Sequence, residues 1–118
     1  MTLETDLFAL EQGFWSGDGE YYRRHLDDHC LVAFTKMTGR MSREEVARTV
    51  QDTHRWRDIS LEPKGFVQPT AESALLAYEC RATRGSGEKY RAVVGSGYVR
   101  RGDGWKMVFH QQTPLEDG

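Results

Sequence analysis

Two long runs of β-forming residues close together near the C-terminus constrain this chain more than any other feature. The runs KYRAVVGSGYVR (89–100) and WKMVFHQQT (105–113) are separated by Arg101-Gly102-Asp103-Gly104. Asp-Gly between β-rich runs is typical of a hairpin, because glycine tolerates the positive φ that a tight turn requires. We therefore predict a long antiparallel hairpin, which the first half of the chain must cover.

Two further strands are predicted before this hairpin, over residues 59–68 and Ser73–Arg84. Pro63 and Gly65 interrupt the first of them. Because proline cannot donate to a central ladder, the interruption predicts a bulge or an edge position. The second half of the chain is therefore a meander of four strands.

The first half predicts helices. Leu3, Leu7, Leu10 and Phe14 recur at helical spacing over residues 2–15, and a shorter helix is predicted over residues 19–27. Residues 29–35 are rich in β-formers and too short for a globular helix, which predicts a strand, and residues 38–40 are predicted to form a loop.

A capping-box pattern follows this loop. In Ser42-Arg43-Glu44-Glu45, the Ser42 side chain and the Glu45 side chain can each bind the other residue's backbone N–H. This pattern predicts a third helix, which we extend to about residue 54. Helices first and strands last is an α+β order, and it predicts helices packed on one face of a bent sheet.

Composition narrows the possible partners. The chain has 118 residues, so we expect one domain over residues 1–118. Its net charge is -2 and its pI is near 6.1, so no excess of basic residues is present to neutralise phosphates, and we expect no nucleic-acid partner. The N-terminus is acidic and no long apolar run occurs, so we expect a cytoplasmic protein that does not enter a membrane. Cys30 and Cys80 are predicted to be buried free thiols.

The chain resembles the nuclear transport factor 2-like superfamily in this order of elements. The resemblance includes the break at Gly17-Asp18, the helix start at Ser42-Arg43-Glu44-Glu45 and the closing GDGWKMVFHQQTP. The ending is similar to its SnoaL-like and ketosteroid-isomerase-like branches and to a subfamily of unknown function. The resemblance implies a conical α+β barrel, in which three N-terminal helices pack in a strongly curved mixed sheet. It also implies a pocket at the wide end and a homodimer formed through the sheet.

The resemblance does not extend to steroid-isomerase activity. Such isomerases use a tyrosine in the first helix and a carboxylate at the end of the first strand. With Asp18 as the reference point, these places fall near Leu10 and Phe34, and neither side chain can transfer a proton.

Strict alternation along the last strand assigns Trp105, Met107, Phe109, Gln111 and Thr113 to one face, which we expect to face the helices because it is richer in large apolar groups. Phe109 would then be part of an apolar wall, and Gln111 would orient a ligand at its polar end. Alternatively, Gln111 binds backbone at the barrel mouth.

Two residues are candidate catalytic bases. Glu79 shares a strand face with Arg81. Charged pairs at period two commonly lie on an exposed face, which is one interpretation of this pair. In the other interpretation the pair lines the cavity, and Glu79 is a base whose pKa is raised by burial. His29 follows Asp27-Asp28 and is either an acid-base group of the pocket or a surface histidine near a helix C-terminus.

Aromatic side chains supply candidate pocket walls, namely Trp15, Tyr22, Trp56 and Tyr98, with Tyr22 or Tyr98 as a hydrogen-bond donor. No phosphate-binding loop or metal-binding motif is present, so we expect neither a cofactor nor a metal. The leading hypothesis is a pocket for a small hydrophobic or aromatic metabolite, with metal-free isomerase, cyclase, dehydratase or other lyase chemistry as an extension. The alternative is a non-catalytic interaction module whose cavity is filled by side chains.

Overall fold

The computed structural model describes residues 2–50, 53–102 and 104–116. Helix α1 (Leu3–Ser16) begins after Thr2, whose side chain accepts a hydrogen bond from the Thr5 backbone N–H. Helix α2 (Gly19–His25) begins after Asp18, which accepts from the Tyr21 N–H at 3.0 Å. Both predicted helices are therefore confirmed, and side-chain caps begin each of them.

Helix α3 (Arg43–Thr49) starts at the predicted capping box. The Glu45 N–H donates to the Ser42 hydroxyl at 3.1 Å, and the Ser42 N–H donates to the Glu45 carboxylate at 3.2 Å. The helix ends at Thr49, earlier than the predicted residue 54, and residues 51 and 52 of that extension lie outside the described residues. The Thr49 hydroxyl donates to the Val46 carbonyl at 2.7 Å. This side-chain hydrogen bond takes the place of the backbone N–H that a further helical turn would supply to that carbonyl.

Within the described residues, six strands form one mixed sheet in the order β2-β1-β6-β5-β4-β3. Strands β1 and β6 are parallel and the other neighbouring pairs are antiparallel, which confirms the α+β class and the curved mixed sheet. The sheet curls around the helices without closing, so β2 and β3 are its edges. The bounds are β1 Leu26–Phe34, β2 Thr38–Ser42, β3 Trp56–Thr70, β4 Ser73–Arg84, β5 Lys89–Arg101 and β6 Gly104–Pro114.

Two local predictions had opposite outcomes. The loop predicted at residues 38–40 is wrong, because this segment pairs with β1 and forms edge strand β2. The bulge predicted from Pro63 and Gly65 is confirmed: the pairing with β4 shifts between these two residues, and β3 is an edge strand. The hairpin of β5 and β6 is also confirmed, although Asp103 of its turn lies outside the described residues.

The core lies between α1 and the inner face of the sheet, which we define as the face turned toward the helices. On β4, the predicted apolar set of Ala74, Leu76, Tyr78, Cys80 and Ala82 is buried there. Both cysteines are buried free thiols, as predicted. Within the described ranges, none of the helices combines the length and the apolar character needed to cross a bilayer.

A β-bulge in β6 determines which of its side chains face inward. Met107 pairs with Tyr98, and Phe109 pairs with Gly97, so Val108 has no partner opposite it on β5. The extra residue reverses the alternation of side chains after Met107. As a result, the even-numbered residues beyond the bulge face inward and the odd-numbered residues face outward.

Candidate functional site

A cavity of about 290 Å³ lies between the three helices and the inner face of the sheet. Its wall is mostly apolar, with aromatic rings from α1, α2 and β3 and a thioether from β6. His110 and Gln112 form a polar end where the second half of β6 borders the cavity, and Thr49 and Arg55 also line it. Residues that define its character are Trp15, Tyr22, Trp56, Met107, His110 and Gln112.

His110 is held by hydrogen bonds on both ring nitrogens. Its Nδ1 lies 2.9 Å from the Ser96 hydroxyl on β5, and its Nε2 lies 3.1 Å from the side-chain amide of Gln112. That amide in turn lies 2.8 Å from the Tyr90 hydroxyl. The ring also packs against Phe34, with 5.5 Å between ring centroids. The imidazole is thus fixed in place at the edge of the cavity.

Behind Ser96 lies a buried carboxylate, that of Glu11 on α1, which is 1% exposed. Its Oε1 accepts hydrogen bonds from Tyr78 and Ser96, each at 2.8 Å, and its Oε2 accepts one from Tyr98. The indole N–H of Trp15 donates to the Tyr78 oxygen at 2.9 Å, so the Tyr78 hydrogen is free to point at Glu11. Three hydroxyl donors therefore compensate for the loss of water around this carboxylate.

Burial and the Glu11 charge both act on the neighbouring acids. Burial raises the pKa of Tyr78 and Tyr98, and the Glu11 charge raises each further. Burial, with a smaller contribution from Glu11, raises the pKa of Cys30 to about 12. These groups therefore keep their protons at neutral pH.

Arg55 binds the C-terminal end of α1 at the rim of the cavity. Its guanidinium donates to the carbonyl of Gly17 at 2.9 Å and to that of Phe14 at 2.8 Å, so it satisfies carbonyls that the helix end leaves without partners. It also lies 5.9 Å from the centroid of the Tyr22 ring. This cation stabilises the wall that the α1 aromatic side chains form.

Three of the aromatic candidates from the sequence, Trp15, Tyr22 and Trp56, line the cavity, and the rings of Trp15 and Trp56 meet edge-to-face at 5.3 Å. The Tyr22 hydroxyl donates to the Phe14 carbonyl at 2.7 Å. Tyr98 is not part of the cavity wall: it is buried, and its hydroxyl donates to Glu11. The structure thus commits both candidate tyrosine donors to partners within the protein.

Phe109 and Gln111 lie on the outer face of the sheet, not on the cavity wall. Strict alternation assigned them to the same face as Met107, and the bulge at Val108 breaks that alternation. Gln111 hydrogen-bonds its neighbour Thr113. His110 and Gln112 take the places in the cavity that the sequence pattern gave to these two residues.

The two candidate bases from the sequence do not converge on the cavity. Glu79 lies on the outer face in an ion pair with Arg91, 2.9 Å between Nη2 and Oε1, and this pairing lowers the Glu79 pKa. His29 is exposed and lies opposite Ser42 in the pairing of β1 with β2. Both residues correspond to the solvent-facing alternative that the sequence left open.

The pattern in the sequence did contain a signal for Glu11. It follows Leu7 by four residues and precedes Phe14 by three, so an acid occupies the apolar stripe of α1. An acid at such a position needs partners, and hydroxyl-bearing residues on facing strands supply them. His110 and Gln112 carried no comparable signal, because the direction in which they face depends on the bulge in β6.

Comparison with known proteins supports the fold and leaves the activity open. No family model matches the chain, and no curated protein matches it. Among solved structures, a ketosteroid isomerase-like protein from Erwinia carotovora atroseptica matches with a TM-score of 0.70 and 18% identity, covering 97% of this chain and 94% of its own. The chain has the nuclear transport factor 2-like fold.

Two further structures agree with this assignment. A nuclear transport factor 2-like protein of unknown function from Prochlorococcus matches with a TM-score of 0.75 and 11% identity, covering 100% of this chain and 97% of its own. A domain of unknown function with a cystatin-like fold from Nostoc punctiforme matches with a TM-score of 0.77 and 16% identity, covering 98% and 80%. The resemblance seen in the sequence is thereby confirmed for the fold.

Proposed function

We propose that this protein binds a small hydrophobic or aromatic molecule in the cavity between its helices and its sheet. The observation that carries the proposal is a cavity of about 290 Å³ whose wall is largely apolar and in which His110 and Gln112 form a polar end. Ligand sites commonly combine an apolar wall with a few oriented polar groups. A cavity of this size suits a single-ring or fused-ring compound that carries one polar substituent.

The polar end sets the orientation of such a ligand. His110 and Gln112 are held by Ser96 and Tyr90, so their positions are fixed before a ligand arrives. Preorganised partners reduce the entropy lost on binding. The ring of the ligand would lie against Trp15 and Trp56, and its polar substituent would approach His110.

Ligand-induced stabilisation tests this proposal. A ligand that binds the folded state at a hundred times its Kd adds about 2.7 kcal/mol to the free energy of unfolding. We expect at least one member of a panel of small aromatic compounds to raise the melting temperature of the wild-type protein. Val46→Trp places an indole in the cavity and should abolish the response, because Val46 lines the wall.

The matched control is Val99→Trp. Val99 lies on β5 opposite Ser73 and Lys106, away from the cavity, and the same substitution there should leave the response intact. Equal stabilisation of both variants would place the binding site elsewhere. A flat response of the wild-type protein across the whole panel would refute ligand binding and favour an interaction module.

A homodimer formed through the outer face is a second part of the proposal. A row of apolar side chains crosses this face, where Val67 pairs with Leu75, and Phe109 pairs with Leu31. Gly97 lies between Leu75 and Phe109, and a Cβ there would lie 3.2 Å from Leu75 Cδ2 and 3.3 Å from Phe109 Cβ. The missing side chain lets the two neighbours make the row continuous.

The oligomeric state tests the use of this row. Leu75 is 47% exposed and Val67 is 58% exposed, so a charge should be tolerated in the isolated chain. We expect Leu75→Asp to convert a dimer to monomers in sedimentation velocity, whereas Thr70→Asp, outside the row, should not. A monomeric wild-type protein, or a Leu75→Asp dimer, would refute this arrangement.

A further inference from the structure

The hydrogen bonds around His110 assign a hydrogen to each of its two ring nitrogens. Ser96 has one hydroxyl hydrogen and donates it to Glu11 at 2.8 Å, so it can only accept at its 2.9 Å contact with His110 Nδ1. On the other side of the ring, Nε2 lies 3.1 Å from Oε1 of Gln112, and an amide oxygen can only accept. Both nitrogens therefore donate, and the ring is an imidazolium.

The orientation of the Gln112 amide agrees with this assignment. Its NH₂ group donates to the Tyr90 hydroxyl at 2.8 Å, which turns the amide oxygen toward His110. An amide NH₂ has two hydrogens, and the second has no acceptor among the described contacts. Because Gln112 lines the cavity, this second N–H is available to a ligand.

The counter-charge of the imidazolium lies behind the cavity wall. Glu11 accepts three hydroxyl hydrogens, which is the pattern of an ionised carboxylate, and the Ser96 hydroxyl bridges it to His110. Glu11 is 1% exposed and is not part of the wall, whereas His110 lines the cavity. The pair is therefore oriented with its positive end toward the ligand site.

The other ionisable groups of the wall add no negative charge. Burial raises the pKa of Cys30 to about 12 and also raises the pKa of Tyr22, so both groups are neutral at neutral pH. Arg55 is a permanent cation, and Phe34, which packs on the His110 ring, is uncharged. In the part of the chain that the structure describes, the cavity wall contains no carboxylate. A ligand therefore meets positive charge on this wall and no negative charge.

The cavity is buried at its apolar end and approaches solvent at its polar end. Leu26 and Met107 line the buried end, and each is at most 3% exposed. Gln112 instead pairs with Phe34, the last residue of β1, and the wall there continues to Met37, which is 44% exposed. A charged group at the polar end therefore loses only part of its water, whereas a ring at the other end is fully enclosed.

We propose that the ligand of this cavity is the carboxylate anion of an apolar acid that contains an aromatic ring. This proposal rests on the ligand site proposed above and names the class of ligand. The ring lies in the apolar end, and the carboxylate accepts the second N–H of Gln112 beside the His110 imidazolium. Ser96 and Glu11 are positioning residues, because they keep the hydrogens on the His110 ring without lining the cavity.

Two probes that differ in charge test the ligand class. 2-Naphthoate carries a carboxylate, and 2-naphthamide has the same ring with a neutral amide of nearly the same shape. At about pH 6.5, we expect the wild-type protein to bind naphthoate about tenfold more tightly than naphthamide in isothermal titration calorimetry. In His110→Gln, which keeps a hydrogen-bonding side chain without the charge, the ratio of the two Kd values should fall to about one.

The matched control is His29→Gln. His29 is an exposed histidine of β1 that is not part of the cavity wall, so its replacement removes the same side chain at a distance from the ligand. The preference for naphthoate should stay at the wild-type value in this variant. A loss of preference equal to that of His110→Gln would show that the effect does not depend on the cavity, and it would overturn the role of His110.

The pH dependence of binding tests the imidazolium without a variant. An imidazolium loses its charge as the pH rises, whereas naphthoate stays ionised, so naphthoate affinity should fall from about pH 6 to about pH 9 and naphthamide affinity should not. Among the groups that face the ligand or the ring, Arg55 keeps its charge, and burial keeps the protons on Cys30 and Tyr22 over this range. Equal profiles for the two probes would contradict recognition of charge by His110.

The positioning residues need a readout that a merely structural role would not change. In the ligand-free wild-type protein at about pH 6.5, ¹⁵N NMR of His110 should show both ring nitrogens protonated. Ser96→Ala should lower this imidazolium population and the preference for naphthoate while naphthamide still binds, and Ser96→Thr, which keeps the hydroxyl, should restore both. Glu11→Gln should act as Ser96→Ala does, and the serine pair decides the question if Glu11→Gln fails to fold.

The outcomes separate this proposal from the ligand site on which it rests. A His110 ring with one protonated nitrogen, or equal affinity of the wild-type protein for the two probes, would overturn the anionic ligand class, while naphthamide binding would leave the ligand site standing. An unchanged imidazolium in Ser96→Ala would remove the positioning role. If neither probe binds, the ligand class proposed here is wrong, and silence across the wider panel refutes the ligand site as well.

Discussion

Removing the Tyr98 hydroxyl tests whether the buried Glu11 carboxylate depends on its three donors. Tyr98 is 1% exposed and donates to Glu11 Oε2, where no other donor is present among the described contacts. Tyr98→Phe keeps the ring and its packing but leaves this oxygen without its partner. A hydrogen bond to a charged group contributes about 1.5–3 kcal/mol, so we expect Tyr98→Phe to lower the free energy of unfolding by this amount.

Two other tyrosines calibrate this value. Tyr78→Phe should cost more than Tyr98→Phe, because it removes one bond to Glu11 and also leaves the Trp15 indole N–H without its acceptor. Tyr21→Phe is the matched control: its hydroxyl donates to the uncharged Leu10 carbonyl at 2.9 Å, and such a bond contributes about 0.5–1.5 kcal/mol. The expected order of destabilisation is therefore Tyr78, then Tyr98, then Tyr21.

Urea denaturation of the wild-type protein and the three variants measures these differences at constant pH and salt. Equal slopes of free energy against urea would show that the substitutions change stability and not the extent of unfolding. If Tyr98→Phe costs no more than Tyr21→Phe, the Glu11 carboxylate gains nothing from a charge-assisted bond and the expected order is wrong. The order is also wrong if Tyr78→Phe is the mildest of the three.

Three further predictions concern other parts of the fold. Because the pKa values of Tyr78 and Tyr98 are raised, the folded state keeps two protons that the unfolded chain loses above pH 10. The free energy of unfolding should therefore fall above pH 10, by about 1.4 kcal/mol per pH unit for each tyrosine. Tyr98→Phe should lessen this slope in alkaline denaturation. Ser42→Ala removes the capping box of α3 and should cost about 1 kcal/mol in thermal denaturation, whereas a loss near zero would show that the cap does not stabilise the protein. Cys30 and Cys80 are buried, and their pKa values are raised to about 12. A disulfide reagent at pH 8 should therefore label the native protein far more slowly than the unfolded chain, and equal rates would contradict their burial.

Local signals in the sequence were sufficient for most of the fold. Caps at Thr2, Asp18 and Ser42 start the three helices, and each cap depends on residues only three apart. Pro63 and Gly65 marked the irregularity of an edge strand in the same local way. Strand β2 was missed because Thr38–Ser42 has weak β propensity and is ordered by its pairing with β1.

The candidate site could be predicted only in part, for a physical reason. Trp15, Tyr22 and Trp56 reach the cavity because large aromatic side chains on these elements have an apolar space to fill. His110 and Gln112 reach it because Val108 has no partner on β5, and no residue near Val108 identifies that bulge from the sequence. Side-chain alternation is reliable only while the pairing of two strands stays regular.

The bulge at Val108 also gives β6 one spare residue. Met107 and Phe109 pair with consecutive residues of β5, so a relative that lacks a residue here could keep a regular ladder and still turn the counterparts of Met107, His110 and Gln112 inward. A gain of one residue on the far side of the bulge would instead turn the polar end of the cavity outward. Sequence comparisons with relatives should therefore place a gap at Val108, since an ungapped alignment with a regular strand would match His110 to a position that faces away from the cavity.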